Sequence, residues 1–382
     1  MTFIYFCFYI FVKMNKNIFI IVALLLFSSG YCQHKILNLI VGTYTKTCQS
    51  EGIYTYSFDT TTADIILKSK TENIYNPSYV SISDDRKFLY SVNQNEKESS
   101  ISSFEFNSIT GKLNFLNNQN SQGANPCYII NDATNVIAAN YTGGSIAVFS
   151  KNNDGSITAA KQVIQHFGSG PNIKRQESPH IHMVQFSPDK KFVFANDLGK
   201  DKIYIYKYNA TSNSKILDIK DSISVKPGSG PRHLTFSSNG KMVYLLQELD
   251  GTLTVFKNKN GKLSKFDETT VVASDFKGEI SAADIHISPD DKFLYATNRG
   301  TANDISSFEI QKDGRLIFKE RTSTLGKGPR NFTIDPTGNF LLVGHQYTNT
   351  IVVFKINKKT GGLTDSGKRI EICSPVCLLF SE

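Results

Sequence analysis

Among its 382 residues the chain has no tryptophan, so the Trp-Asp signature of WD-type repeat scaffolds cannot occur in it. It has no glycine-rich phosphate loop and no Gly-x-Ser-x-Gly elbow. That removes phosphate-loop nucleotide chemistry and the serine-nucleophile route, and no cofactor is expected. Beyond the N-terminus no segment sustains a helical period, which excludes bundles and alternating α/β folds. Basic residues outnumber acidic ones, 42 to 34, but they never gather into a run. A thin basic excess argues against nucleic acid and is compatible with a small anionic ligand.

Long apolar runs are confined to the N-terminus. Met14-Asn15-Lys16-Asn17 is a short basic start, Ile18 to Phe27 is unbroken apolar sequence, and Ser28-Ser29-Gly30-Tyr31-Cys32 follows. This is the layout of a secretory signal peptide over residues 1–32, with Met14 as the expected start. An uncleaved membrane anchor and a lipid on Cys32 are the competing readings; Lys13, Lys16 and the bulky Tyr31 weigh against them. Removing residues 1–32, which hold Lys13 and Lys16 and no acid, takes the net charge from +8 to +6. The protein is therefore expected to be exported, periplasmic or extracellular, without stable membrane insertion. Cys48, Cys127, Cys373 and Cys377 remain, and three pairings or four free thiols are all open.

Residues 33–382 repeat at about 50 residues. Each unit opens on a lead-in such as Asn76-Pro77-Ser78-Tyr79, Asn125-Pro126-Cys127-Tyr128, Ser178-Pro179-His180-Ile181, Gly230-Pro231-Arg232-His233, Ser281-Ala282-Ala283-Asp284, Gly328-Pro329-Arg330-Asn331 or Ser374-Pro375-Val376-Cys377. A short strand, a Ser-Pro-Asp-type turn such as Ser187-Pro188-Asp189, an apolar strand, an alternating strand and a glycine turn follow. Seven lead-ins with four short strands each predict an all-β, seven-bladed propeller of antiparallel blades. The chain starts on an apparent second strand, Leu39–Gly42, and finishes on an apparent first strand, Val376–Phe380, so pairing of the two ends closes the ring. Such a ring is expected to be monomeric.

In a propeller the first strand of each blade borders the central channel. Counting back from Phe186, Phe236, Ile287 and Ile334 places His182, Arg232, Ala283 and Arg330 in one ring, and Met183, His233, Asp284 and Asn331 in the next. The ends of the second strands add Thr43, Asn93, Asp197, Gln247, Asn298 and His345, then Tyr44, Gln94, Leu198, Glu248, Arg299 and Gln346, with Asn140 and Tyr141 a looser fit. Blades three to six depart most from one another. A group of charges in a channel stabilises poorly and points to function. His180, His182, Arg232, Glu248 and Arg299 are the candidate catalytic residues, and His233, Asp284, His286 and Arg330 the candidate substrate contacts. His180-x-His182 has no obvious third ligand, so no metal is expected. The largest irregularity of spacing is the loop Phe167–Gln176.

Gly230-Pro231-Arg232-His233, Gln247-Glu248, Asp284-Ile285-His286-Ile287-Ser288-Pro289-Asp290, Leu294-Tyr295-Ala296-Thr297-Asn298-Arg299 and His180-x-His182 with Asp197-Leu198-Gly199 resemble the lactonase family of seven-bladed propellers. That family includes propeller-type 6-phosphogluconolactonases and the fungal carboxy-muconate lactonizing enzyme. The resemblance covers residues 37–382. His345 departs from it, standing where the family usually has Asn. The resemblance implies a His, an Arg, a Glu and a second Arg in the channel, matching His180 or His182, Arg232, Glu248 and Arg299. It implies hydrolysis of a small anionic sugar lactone. A histidine would activate water, the arginines would hold the anion and the developing oxyanion, and Glu248 would orient an arginine or protonate the leaving oxygen. A muconate-type cycloisomerase and a non-catalytic binding propeller are the alternatives.

Overall fold

The computed structural model describes residues 35–95 and 98–381. The expected signal peptide, its start at Met14 and Cys32 lie outside the described residues. The fold is the predicted one: seven four-stranded antiparallel sheets. Blades one to six follow in sequence. Blade seven takes its inner strand from Pro375–Ser381 and its other three from Ile36–Thr43, Ile53–Asp59 and Ile65–Lys70. Each inner strand touches the next and the seventh touches the first, so the ring is closed. The helical content of the described residues is one 3₁₀ turn, Leu198–Lys200, and no helix there is long and apolar enough to cross a membrane.

The repeats share their hardware. In the turn after the inner strand, Ser187 donates to Asp189 (2.7 Å) and accepts from the N–H of Phe192 (3.0 Å). Ser288, Asp290 and Phe293 repeat the arrangement at 2.7 and 3.0 Å, as do Ser83, Asp85 and Phe88 at 2.6 and 3.0 Å. Second strands such as Met242–Gln247 are buried on both faces, because a neighbouring blade covers each side. Outer strands such as Ile157–Gln165 alternate buried and exposed. Tyrosines on second strands bolt one blade to the next: Tyr90 donates to Gly155 O (3.1 Å), Tyr244 to Gly314 O (3.1 Å) and Tyr295 to Gly361 O (3.0 Å). Gly155 and Gly314 sit at φ +83° and +94°, and a Cβ there would strike Phe88 or Met242 of the preceding blade.

Two backbone devices aim side chains at the channel. The inner-strand ladder skips a residue at Cys127, His182, Arg232, Arg330 and Val376, and two at Ala283-Asp284. Each skip is a β-bulge, which turns the extra side chain out of the sheet plane. Then, in every blade, the N–H just past the second strand donates to the carbonyl two residues before the bulge position. The pairs are Tyr44 to Ser374 (3.1 Å), Gln94 to Asn76 (3.2 Å), Tyr141 to Asn125 (3.0 Å), Leu198 to His180 (2.8 Å), Glu248 to Gly230 (2.7 Å), Arg299 to Ser281 (3.0 Å) and Gln346 to Gly328 (2.9 Å). Tyr141 thus joins its ring, a position the irregular blade had left open.

Of the four cysteines, Cys48 and Cys373 are bridged, with Cα atoms 6.0 Å apart and a sequence separation of 325. Cys127 and Cys377 are buried thiols. The disulfide joins the loop after Ile36–Thr43 to the loop before Pro375–Ser381, clasping the blade that both chain ends build. Cross-links closing long loops restrict the unfolded chain most. Reduction, or Cys48→Ser, should lower the unfolding free energy in denaturant by about 2–5 kcal/mol; equal stability of oxidised and reduced protein would show that the clasp contributes nothing.

Candidate active site

The bulge ring runs Cys127, His182, Arg232, Ala283, Arg330, Val376 from blade two to blade seven, and Ser78 holds the equivalent place in blade one, whose ladder has no bulge. The ring above it runs Gln94, Tyr141, Leu198, Glu248, Arg299, Gln346, Tyr44. Of the four expected rings, the sets containing His182 and Glu248 occupy these equivalent backbone positions, whereas the strand-end set from Thr43 to His345 is engaged otherwise. Its members hold the lead-in loops: Asp197 accepts from His180 N–H (2.9 Å), Asn298 from Ser281 N–H (3.0 Å), and Asn140 donates to Ser121 O (3.0 Å).

Glu248 is the hub. Its Oε2 lies 2.9 Å from Arg232 Nε and 3.2 Å from Arg299 Nη2, and its Oε1 lies 2.6 Å from Arg175 Nη2. Glu248 and Arg232 are buried, with side-chain exposures of 5% and 2%. Burial would push the carboxyl up, but Arg299, Arg232 and Arg175 outweigh it and hold it at about 2. Burial and Arg299 pull Arg232 down to about 9, which leaves it charged at neutral pH. Arg232 Nη1 also donates to Ala283 O, and Arg299 Nε to Ser281 O (3.2 Å). Both predicted arginines thus pair with Glu248, and neither with Asp284.

Arg175 was not among the expected site residues. It comes from the irregular loop 167–176, whose buried Gln176 donates to Leu198 O (2.8 Å) and accepts from Asn172 N–H (3.1 Å). Arg175 Nη2 also donates to the Tyr141 hydroxyl (3.3 Å). The length of this loop was the available signal; its landing point was not.

The histidines separate into three situations. His180 stacks on Tyr141 (4.5 Å, 11°), and its ring nitrogens face Tyr141 O (3.1 Å) and Glu177 (3.2 Å). His182 is buried, edge-on to Tyr141 (5.4 Å) and 5.1 Å from the His233 ring, and its Nδ1 has no hydrogen-bond partner. Burial and Arg232 hold its pKa well below the usual imidazole value. His233 donates from Nδ1 to Asp284 (2.7 Å) and points Nε2 at Arg232 Nη1 (3.5 Å); burial and Arg232 bring it to about 4.

Asp284 also accepts from His286 Nε2 (3.0 Å) and the Phe332 N–H (3.2 Å). Burial works against its charge, yet His286 and His233 keep its carboxyl far below the usual range. His286 is half-exposed, and its pKa is raised by Asp284 against the effect of burial. Arg330 is half-buried, 5.5 Å from the Tyr44 ring, and forms no ion pair among the described residues. Arg232, Glu248, Arg299, His182, His233 and Asp284 are therefore contiguous, His180 lies behind Tyr141, and His286 leads away along its strand. Among the described residues no three His, Cys, Asp or Glu side chains converge as a metal site.

Residues 38–380 match the family model described as lactonase, seven-bladed β-propeller. A 6-phosphogluconolactonase of Bacillus subtilis strain 168 is 36% identical over 346 residues, covering 89% of this chain and 97% of the relative. One of Formosa agariphila is 39% identical over 332 residues, covering 85% and 94%. The structure of a periplasmic gluconolactonase of Pseudomonas aeruginosa superposes with a TM-score of 0.87 at 33% identity, covering 91% of this chain and 99% of that one.

The hub sets up a contrast between two substitutions. Glu248→Ala strands two buried guanidinium groups and should cost about 3–5 kcal/mol of stability. Arg175→Ala removes a partner whose side chain is 39% exposed and should cost no more than about 1 kcal/mol. Denaturant melts of the two variants check this; equal losses would contradict the hub.

Proposed function

This chain belongs to the seven-bladed β-propeller lactonase family, and we propose that it hydrolyses a sugar lactone of the gluconolactone type at the mouth of its central channel. The observation that carries the reading is a buried His182 whose Nδ1 has no hydrogen-bond partner, packed against His233, which in turn meets Arg232 of the arginine pair held by Glu248. The relatives' names, 6-phosphogluconolactonase and periplasmic gluconolactonase, support the substrate class. The leader-like residues 14–32 and the periplasmic relative support an exported enzyme.

A lactone is a cyclic ester, so opening it requires an activated water, a stabilised tetrahedral oxyanion and a proton for the ring oxygen. His182 is neutral at physiological pH and takes the proton from water as it attacks the carbonyl carbon. Arg232 and Arg299 place their remaining N–H groups on the carbonyl oxygen as it becomes negative. The imidazolium formed at His182 is disfavoured beside Arg232, Arg330 and Arg299, so it passes its proton to the departing ring oxygen. Glu248 is ionised at about 2 and has no proton to give; its part is to hold the arginines. His233, fixed by Asp284, backs both Arg232 and His182. His180, with both ring nitrogens facing acceptors, shapes the wall through Tyr141.

His182→Ala should lower kcat/KM for gluconolactone, measured above the spontaneous rate, by about 10²–10⁴, whereas His180→Ala should have the smaller effect. The base is the neutral imidazole and its folded pKa lies well below 6.5. Activity should therefore hold as pH falls through 6.5 and drop only at more acidic pH. A half-point near 6.5, or an unaffected His182→Ala variant, would refute the assignment.

A further inference from the structure

We infer that His286 is a positioning residue for the reaction, carrying the protonation state of the far end of the blade-five inner strand through Asp284 and His233 to Arg232. The inference rests on the lactone reading above and adds a control on the rate that the mechanism itself does not use.

Asp284 is the bridge. Its Oδ1 accepts from His233 Nδ1 (2.7 Å) and the Ile285 N–H (3.0 Å), and its Oδ2 from His286 Nε2 (3.0 Å), Asn331 Nδ2 (2.5 Å) and the Phe332 N–H (3.2 Å). A carboxylate ringed by donors has no lone pair to spare for a proton of its own. His233 then carries its proton on Nδ1, which leaves Nε2 bare toward Arg232 Nη1 at 3.5 Å. The line from His286 through Asp284 and His233 to Arg232 is continuous, and its middle is sealed. Side-chain exposures are 3% for Asp284 and 5% for His233, against 39% for His286.

His286 stands where this line meets solvent. It lies three residues past Ala283, and the Ser288-Pro289-Asp290 turn begins two residues later, so it belongs to the end of the strand away from Arg299. The same row in three neighbouring inner strands carries Gln185, Thr235 and Thr333, all half-buried and none able to ionise near neutral pH. The strands packed against that of His286 bring Arg232 and His233 from blade four, Arg330 from blade six, and Tyr244 and Tyr295 from the second strands of blades four and five. Burial drives both tyrosine hydroxyls up, so they stay neutral. The same holds for Tyr79, Tyr128 and the Cys377 thiol, on which the Asp284 charge acts. Asp284 is therefore the acid that governs His286: burial opposes the imidazolium, but Asp284 and the Phe332 backbone raise its pKa above the usual value.

With His286 protonated, the Asp284–His286 pair is neutral. When His286 loses its proton, a buried negative charge is left one imidazole ring from Arg232, with little water to screen it. That charge offsets part of the pull of the guanidinium on the developing oxyanion. Turnover should therefore step down as pH rises through the His286 pKa.

The test compares the protein with His286→Gln, whose amide still donates to Asp284 and so keeps the hydrogen bond while removing the titration. Imidazole NMR signals and kcat/KM for gluconolactone, above the spontaneous rate, are followed from mildly acidic to mildly alkaline pH. His233 is held at about 4 and does not titrate in this range, so a shift of its signals there originates at His286. In the protein those signals should move together with those of His286, at a midpoint above 6.5, and the movement should be absent from the variant. Below that midpoint the variant should be slower by about 3–30-fold, and above it the two rates should coincide. His233 signals that do not follow His286, or rates in a constant ratio at every pH, overturn the inference. If the protein turns over lactones while either of those results is found, the coupling falls and the lactonase reading stands. Coupled signals in a protein that turns over no lactone keep the bridge and remove the lactonase reading.

Discussion

A carboxylate taken out of water must be matched by cations or give up its charge, and Glu248 is matched by three guanidinium groups. Those three arrive from different places: the inner strand of blade four, the residue just past the second strand of blade five and an irregular loop ahead of blade three. The hub fixes the angle of Arg232 and Arg299 and ties down the loop through Arg175. It also keeps Glu248 ionised, and in the proposed mechanism proton transfer therefore falls to histidine. The depressed pKa of His182 has the same origin, since burial and the arginines held by Glu248 both oppose its charge.

The scaffold beneath this cluster is nearly symmetric, and the buried charges gather where symmetry fails. Seven equivalent backbone hydrogen bonds place seven equivalent side chains. Six inner strands open a bulge that turns a side chain out of the sheet. A position so firmly set by backbone can carry almost any residue. Blade one carries Ser78 and Gln94, blade four Arg232 and Glu248, blade five Ala283 and Arg299, with no change to the ring. The tyrosine-to-glycine bolts between blades and the disulfide across the closing blade make the frame stiff enough to hold buried charge.

The fold was legible because its signals are local and repeated: serine–aspartate turns, alternating strands and lead-in prolines recur at one spacing. The positions that the equivalent backbone bonds set were legible by counting from strand ends. That count succeeded at His182 even though Pro179 comes two residues early in its blade, because the strand end, Phe186, keeps its place in the sheet while the lead-in varies. Three things were not legible, each depending on distance in space rather than in sequence. Arg175 belongs to a loop whose length showed but whose landing on Glu248 did not. The pairing of Cys48 with Cys373 needs the closed ring to bring the two loops together. The choice between His180 and His182 as the free imidazole turns on Tyr141 and Glu177, which occupy one and spare the other.

The most direct test of the account is the rate of hydrolysis of gluconolactone and its 6-phosphate above the spontaneous background. It would be measured for the protein and for a folded Arg232→Ala/Glu248→Ala variant side by side. The account predicts turnover of at least one lactone and a loss of about 10²-fold or more in the variant. Turnover undiminished in the variant, or no turnover of either lactone by the protein, would contradict it.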